Sequence, residues 1–248
     1  MLLPNGLRKL ALGMSSCHMC SACLYYMYVV NNAIKLPYIP PVVFTCLGIF
    51  VSLSLMLYSN RRFFLRYLLV YIIAFTFAKL QSAVFEVGRS SICGILATLF
   101  VFPYASLHEI DCYAFCFLFE VVISLWGSIL TGVWDGEEVS WGVDRGDGKL
   151  RIPSALFESL FCACLLLRAC YRGYVRGTTT IISYLLFRAI NDHYRPSTRG
   201  QYEYVCVLLA CVVGVRHFGV RRLLEKFAGA SGDKRVNLSH RANRVGSF

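Results

Sequence analysis

Arg188, Asp192, His193 and Arg195 carry the densest set of reactive side chains in the sequence. They close an apolar run that begins near Tyr184, and Pro196 then denies a helix its backbone donor. Arg188 and Asp192 stand four apart, so on a helix they share a face, and Arg195 follows one turn later. A guanidinium is a planar fork that keeps its charge, suited to gripping a phosphate or a carboxylate. His193 is the neighbouring group able to move a proton near neutral pH. Arginine at the edge of hydrocarbon usually marks a polar path or a site. The plainer alternative makes Arg188 an ion-pair partner of Asp192 that snorkels to the interface. The residues alone leave both readings open.

Other candidates are scattered. Lys79 and Glu120 lie inside apolar runs, and Glu158 lies just inside another. Lys79 pairs with Glu86 or Glu120, snorkels, or meets a lipid headgroup. Cys17, His18, Cys20 and Cys23 have ligand-like spacing, but no second cluster completes a metal site. The twelve cysteines fall mostly within apolar runs, where they read as small hydrophobes. Neither a metal nor a cofactor is expected.

The elements that must position these groups are apolar helices. The chain has 248 residues, 57% hydrophobic and only 16% charged, and a mean hydropathy of +0.57. A soluble domain carries roughly a quarter charged residues, so the composition points to a polytopic membrane helix bundle. Spans are expected near residues 17–34, 38–58, 67–85, 91–107, 112–134, 154–171, 178–192 and 202–218, with a basic hinge over 60–66. The first run follows Arg8 and Lys9 as a signal peptide would, but no small-x-small cleavage site follows, so it is expected as a retained helix. Residues 1–218 then form the bundle, and 219–248 a basic, disordered cytoplasmic tail. The net charge of +11 sits largely in connections and in the tail, as a topology signal rather than a nucleic-acid surface. Most Lys and Arg fall on the side that holds the N-terminus, the Asn60 hinge, the 172–177 connection and the tail. That bias makes both termini cytoplasmic and puts the polar segment 135–153 on the outer face with the 195–201 connection. Trp134 and Trp141 fit an interfacial belt.

Three motifs then fall in order. Residues 124–136 read Ser-Leu-Trp-Gly-Ser-Ile-Leu-Thr-Gly-Val-Trp-Asp-Gly, followed by Ser-Trp-Gly-Val at 140–143. Residues 151–158 read Arg-Ile-Pro-Ser-Ala-Leu-Phe-Glu, and Phe187-Arg188 leads through Asp192 and Arg195 to Gly200-Gln201. The ordered set resembles the motifs of the prolipoprotein diacylglyceryl transferases. Ala78-Lys79-Leu80 is a fainter echo. The resemblance implies a bacterial inner-membrane bundle of seven spans, here with an extra N-terminal helix. It implies transfer of a diacylglyceryl group from phosphatidylglycerol to the lipobox cysteine of a prolipoprotein. Arg188 would face the leaving phosphate, Asp192 would hold Arg188, Arg195 would meet the headgroup, and Glu158 would support them. Gly127, Gly132 and Gly136 would let backbone approach the ligand, and Lys79 would help bind it.

The sequence departs from the family pattern where Leu125 and Ile152 replace an arginine and a histidine, and where Ile92 precedes Cys93-Gly94 without the family's histidine. His193 stands at no family position. Three readings follow: the transferase, a catalytically impaired relative that binds lipid or a membrane partner, and an unrelated transporter suggested by Lys79, Glu120 and Arg188.

Overall fold

The computed structural model describes residues 1–32, 40–85, 106–132, 135–144, 147–195, 204–215 and 219. Its described elements are α1 (Asn5–Asn32), α2 (Pro41–Ser59), α3 (Arg61–Phe85), α4 (Leu107–Thr131), β1 (Glu138–Asp144), β2 (Leu150–Arg151), α5 (Ser154–Arg172), α6 (Gly177–His193) and α7 (Tyr204–Val215). The protein is mostly helical. By length and composition, α2, α4 and α5 are able to cross a membrane, and α7 is a shorter apolar helix. The expected span over 91–107 lies outside the described residues except at its end, as do Trp134, Gly200, Gln201 and the tail after Gly219.

Local chemistry sets the boundaries and corrects several expected ones. α1 runs unbroken from Asn5, so it starts well before the expected 17 and holds Arg8 and Lys9 in its first turns. The basic hinge expected over 60–66 shrinks to Asn60, whose φ of −158° leaves the helical region, and Arg61 already opens α3. α4 starts at Leu107, five residues before the expected 112, because the Ser106 side chain accepts from the Glu109 N–H at 3.2 Å. It ends where Gly132 takes φ 66°, and the Gly132 N–H reaches the Ser128 carbonyl.

α4 is the axis of the fold. It is buried along most of its length, with α2, α5 and α6 packed around it. Glycine sets how near α2 comes: a Cβ on Gly127 would lie 2.6 Å from Pro41 Cα. α1 lies along α5, and Trp126 Nε1 donates to His18 Nδ1 at 2.9 Å to join α1 to α4. α5 and α6 form an antiparallel pair through a tight turn at Gly173 (φ 72°), with Phe161 stacked on Phe187 at 4.2 Å.

The helix ends sort into two groups. At one end the Leu3 N–H donates to Gly173 O (2.9 Å), Val175 N–H donates to Met1 O (2.9 Å), and the Met1 amino group pairs with Asp111. Asn60 and His108 meet there at 3.5 Å. At the other end stand Pro41 and Gly127, the start of α5, the end of α6, and the β1–β2 hairpin. The hairpin is an addition to the all-helical expectation. Its tip is fixed by the Asp144 carboxylate, which accepts from the Asp147 and Gly148 N–H groups at 3.1 Å each.

Candidate functional site

The last three turns of α6 place Tyr184, Arg188 and Asp192 on one stripe, and Arg195 continues it just past the helix. The stripe faces Glu158, one turn into α5. Asn191 Nδ2 donates to Ser154 O at 3.0 Å and clamps the end of α6 to the start of α5. The spacing of these residues on two antiparallel helices therefore builds the site.

Four charged groups close into a quartet. Arg188 Nη1 donates to both oxygens of Glu158 at 2.6 Å, and Arg188 Nε donates to Asp192 Oδ2 at 2.8 Å. Arg195 Nη2 donates to Glu158 Oε2 at 2.9 Å, and Arg195 Nη1 donates to Asp192 Oδ1 at 3.1 Å. Tyr184 donates to Glu158 Oε1 at 2.7 Å. Each guanidinium thus touches both carboxylates. The members are 0–4% exposed, with Asp192 at 0% and Arg188 at 4%. Two positive and two negative charges compensate each other, the condition under which buried ions are tolerated. Cys162 of α5 and Cys206 of α7 lie beside the quartet, both buried.

The expected ion pair between Arg188 and Asp192 is present, with Glu158 and Arg195 joining it. Arg188 does not snorkel. It is held inside by partners on both helices. His193 is exposed and stacks edge-on against Tyr194 at 5.4 Å between ring centroids; five residues past Arg188, it leaves the quartet's face. Arg195 was expected at an interface touching a headgroup, but it is buried at 2% exposure.

The glycines have packing duties. Gly127 admits Pro41, and Gly132 caps α4. Gly136 sits where a Cβ would lie 2.7 Å from Tyr194 O and 2.9 Å from Ser154 Oγ. The Gly136 N–H donates to Ile152 O at 2.6 Å, and the Glu137 N–H donates to Tyr194 O at 2.8 Å. The segment after α4 is thereby stitched to the chain around the quartet. Leu125 and Ile152 are both buried and apolar. The Lys79 side chain lies outside the described residues, and among them Glu120 accepts from the Tyr71 hydroxyl.

The cysteine-rich stretch of α1 does not gather. Cys17, Cys20 and Cys23 are exposed, whereas His18 is buried against Trp126, and no metal-ligating cluster occurs among the described residues.

Sequence reasoning paired Arg188 with Asp192 and assigned Glu158 a supporting place. It missed Tyr184, whose signal was its position one turn before Arg188 on the same face. Fold and site together define a helical bundle with apolar helices of membrane-crossing length and a buried, charge-balanced quartet at one end. No protein-family model, curated protein or solved structure matches the chain.

Proposed function

We propose that the chain is a multi-pass bacterial inner-membrane protein, a relative of the prolipoprotein diacylglyceryl transferases that binds anionic phospholipid or a membrane partner without transferring a lipid. The end that carries Met1, Asn60 and the 173–176 turn is the cytoplasmic one, following the Lys and Arg bias. The quartet then stands near the outer face and fixes α5, α6 and the hairpin as the floor of a headgroup site.

The observation that carries this reading is the closure of the quartet. Both carboxylates already occupy both guanidinium forks. A lipid phosphate at Arg188 would have to displace Glu158 or Asp192 and leave a carboxylate buried without its partner. Leu125 and Ile152 add buried hydrocarbon where transfer chemistry would use a cation and an imidazole.

A specific observation favours the transferase as the second reading. Gly136, Glu158 and the Arg188–Asp192–Arg195 group, from three separate motifs, lie at the same end of the bundle. In that reaction a thiolate sulfur forms a bond to the glycerol carbon, the carbon–oxygen bond to phosphate breaks, and glycerol phosphate leaves.

One experiment separates the two. The full chain is reconstituted in nanodiscs containing phosphatidylglycerol and given a lipobox peptide. The first reading expects phosphatidylglycerol retained through purification and no thioether product. Product formation, or rescue of cells depleted of their own transferase, overturns it in favour of transfer.

A further inference from the structure

A second polar constellation crosses the bundle away from the quartet. Glu109, Tyr113, Cys116 and Glu120 recur on α4 at steps of four, three and four residues, which is one helix face. Opposite them α3 presents Arg66, Tyr67 and Tyr71, and α2 presents Ser52. At the Asn60 end, Arg66 reaches Glu109 at 3.3 Å, and Tyr113 donates to Glu109 at 2.5 Å. Deeper in, Tyr71 donates to Glu120 at 2.5 Å, and Ser52 joins Tyr71 and Tyr67, each at 2.8 Å. Between the two groups the Tyr67 and Tyr113 rings stack at 5.1 Å. Glu109 to Glu120 spans about 16 Å of helix, roughly half of a hydrocarbon core.

The two ends of this seam differ in kind. Glu109 has a cation, and Arg66 is more than half exposed at 58%, so that end meets water. Glu120 has the Tyr71 hydroxyl on one oxygen. Tyr67 and Tyr71 from α3, Ser52 from α2 and Cys116 from its own helix surround it. Among the described residues no charged group from α2, α3, α5 or α6 faces it, the Lys79 side chain of α3 lying outside them. A carboxyl inside a helix of membrane-crossing length, with hydroxyl partners and no counter-ion among the described residues, is suited to binding a proton rather than to holding two helices together by charge.

We propose that Glu120 is a proton-binding site, reached from the Asn60 end through the hydroxyls of Tyr113, Tyr67, Ser52 and Tyr71. Each hydroxyl both donates and accepts, so it passes one proton on as it takes another and ends neutral. The Glu120 carboxylate gains the proton and Glu109 exchanges with water. Between Tyr113 and Tyr67, whose rings stack at 5.1 Å, the relay requires one water to enter the seam. The inference rests on the membrane reading and is independent of what the quartet binds.

Infrared spectroscopy of the full chain in nanodiscs tests it, after flotation with vesicles has verified insertion. The expected result is a carboxylic C=O band that titrates with pH, shifts in D2O and is lost in Glu120→Gln, whose amide oxygen still accepts from Tyr71. In Tyr113→Phe the same band persists, but its hydrogen–deuterium exchange slows by about tenfold, as loss of one hydrogen-bonded carrier would give. If Glu120→Gln does not fold, Tyr71→Phe takes its place, with a shift of the band expected in place of its loss. A band unchanged by the Glu120 or Tyr71 substitution overturns the site. Exchange equally fast in Tyr113→Phe overturns the path.

Discussion

Removing Glu158 tests how the quartet is held together. The Glu158→Gln substitution keeps the shape and the Tyr184 hydrogen bond but removes the charge that both guanidinium groups share. Two cations then face Asp192 alone, and the buried cluster goes from neutral to a net positive charge. Leaving one buried charge uncompensated costs about 3–5 kcal/mol. Arg188→Met produces the mirror case, one cation facing two carboxylates, at a similar cost. The double variant leaves Arg195 and Asp192, a neutral pair already in contact at 3.1 Å. It should therefore be more stable than the sum of the single losses predicts, by roughly 2–3 kcal/mol, within the range of directly coupled residues. The assay is a double-mutant cycle on reversible unfolding in mixed micelles, with a denaturing detergent as the titrant. Losses that add to within about 0.5 kcal/mol would refute the reasoning. They would mean that Arg188 is not tied to Glu158, and a cation open to a lipid phosphate would be the better description.

The other predictions concern packing and the hairpin. Gly127→Val should push α2 from α4 and cost about 1–3 kcal/mol, measured by thermal unfolding, since the new Cβ meets Pro41 backbone at 2.6 Å. His18→Leu should strand the Trp126 indole donor and cost about 1–3 kcal/mol, accompanied by a change in tryptophan emission. The hydrogen bond from Arg151, 2.5 Å away, holds the Asp147 carboxyl below the usual carboxylate range. Because the folded value is depressed, this contact is present above the unfolded carboxyl's value and lost as pH falls through the lowered one. A carboxyl carbon NMR titration of Asp147 checks this, and an ordinary midpoint that Arg151→Gln does not move would contradict it. Cys17, Cys20 and Cys23 should react with a water-soluble maleimide in detergent, and zinc should not protect them, because their one histidine is turned inward.

What the sequence made legible followed from periodicity and charge. The i, i+4 spacing of Arg188 and Asp192 announced a shared face, and the gap between apolar runs placed α5 and α6 almost to the residue. The sorting of connections also survived in relative terms: Met1, Asn60 and the 173–176 turn gather at one end, and the hairpin lies at the other. The sequence concealed whatever depends on which groups meet across helices. Glu158 and Arg195 close the quartet only because α6 returns antiparallel to α5, and nothing along the chain states that both carboxylates will reach both cations. The 60–66 segment read as a hinge because of its charge, yet Arg61, Arg62 and Arg66 are good helix formers that project from α3 while only Asn60 breaks. The early start of α4 was written in Ser106-Leu107-His108-Glu109, the spacing of a capping box. Glu109 then spends its carboxylate on Arg66 and Tyr113, a contact that only the third dimension reveals.

The two polar constellations answer the same physical problem in different ways. An apolar bundle tolerates charge if each ion is matched, and the quartet matches two with two on helices locked by Asn191 and the α5–α6 turn. A group so matched is expensive to disturb, so it serves as a fixed part of the frame. Glu120 has hydroxyl neighbours and no counter-ion among the described residues, so its change of charge needs no ion pair broken. If function in this bundle involves a change of protonation, the α3–α4 seam is where such a change disturbs the least structure. The quartet is where it would disturb the most. The coupling energy of the first and the exchange rate of the second measure that difference directly.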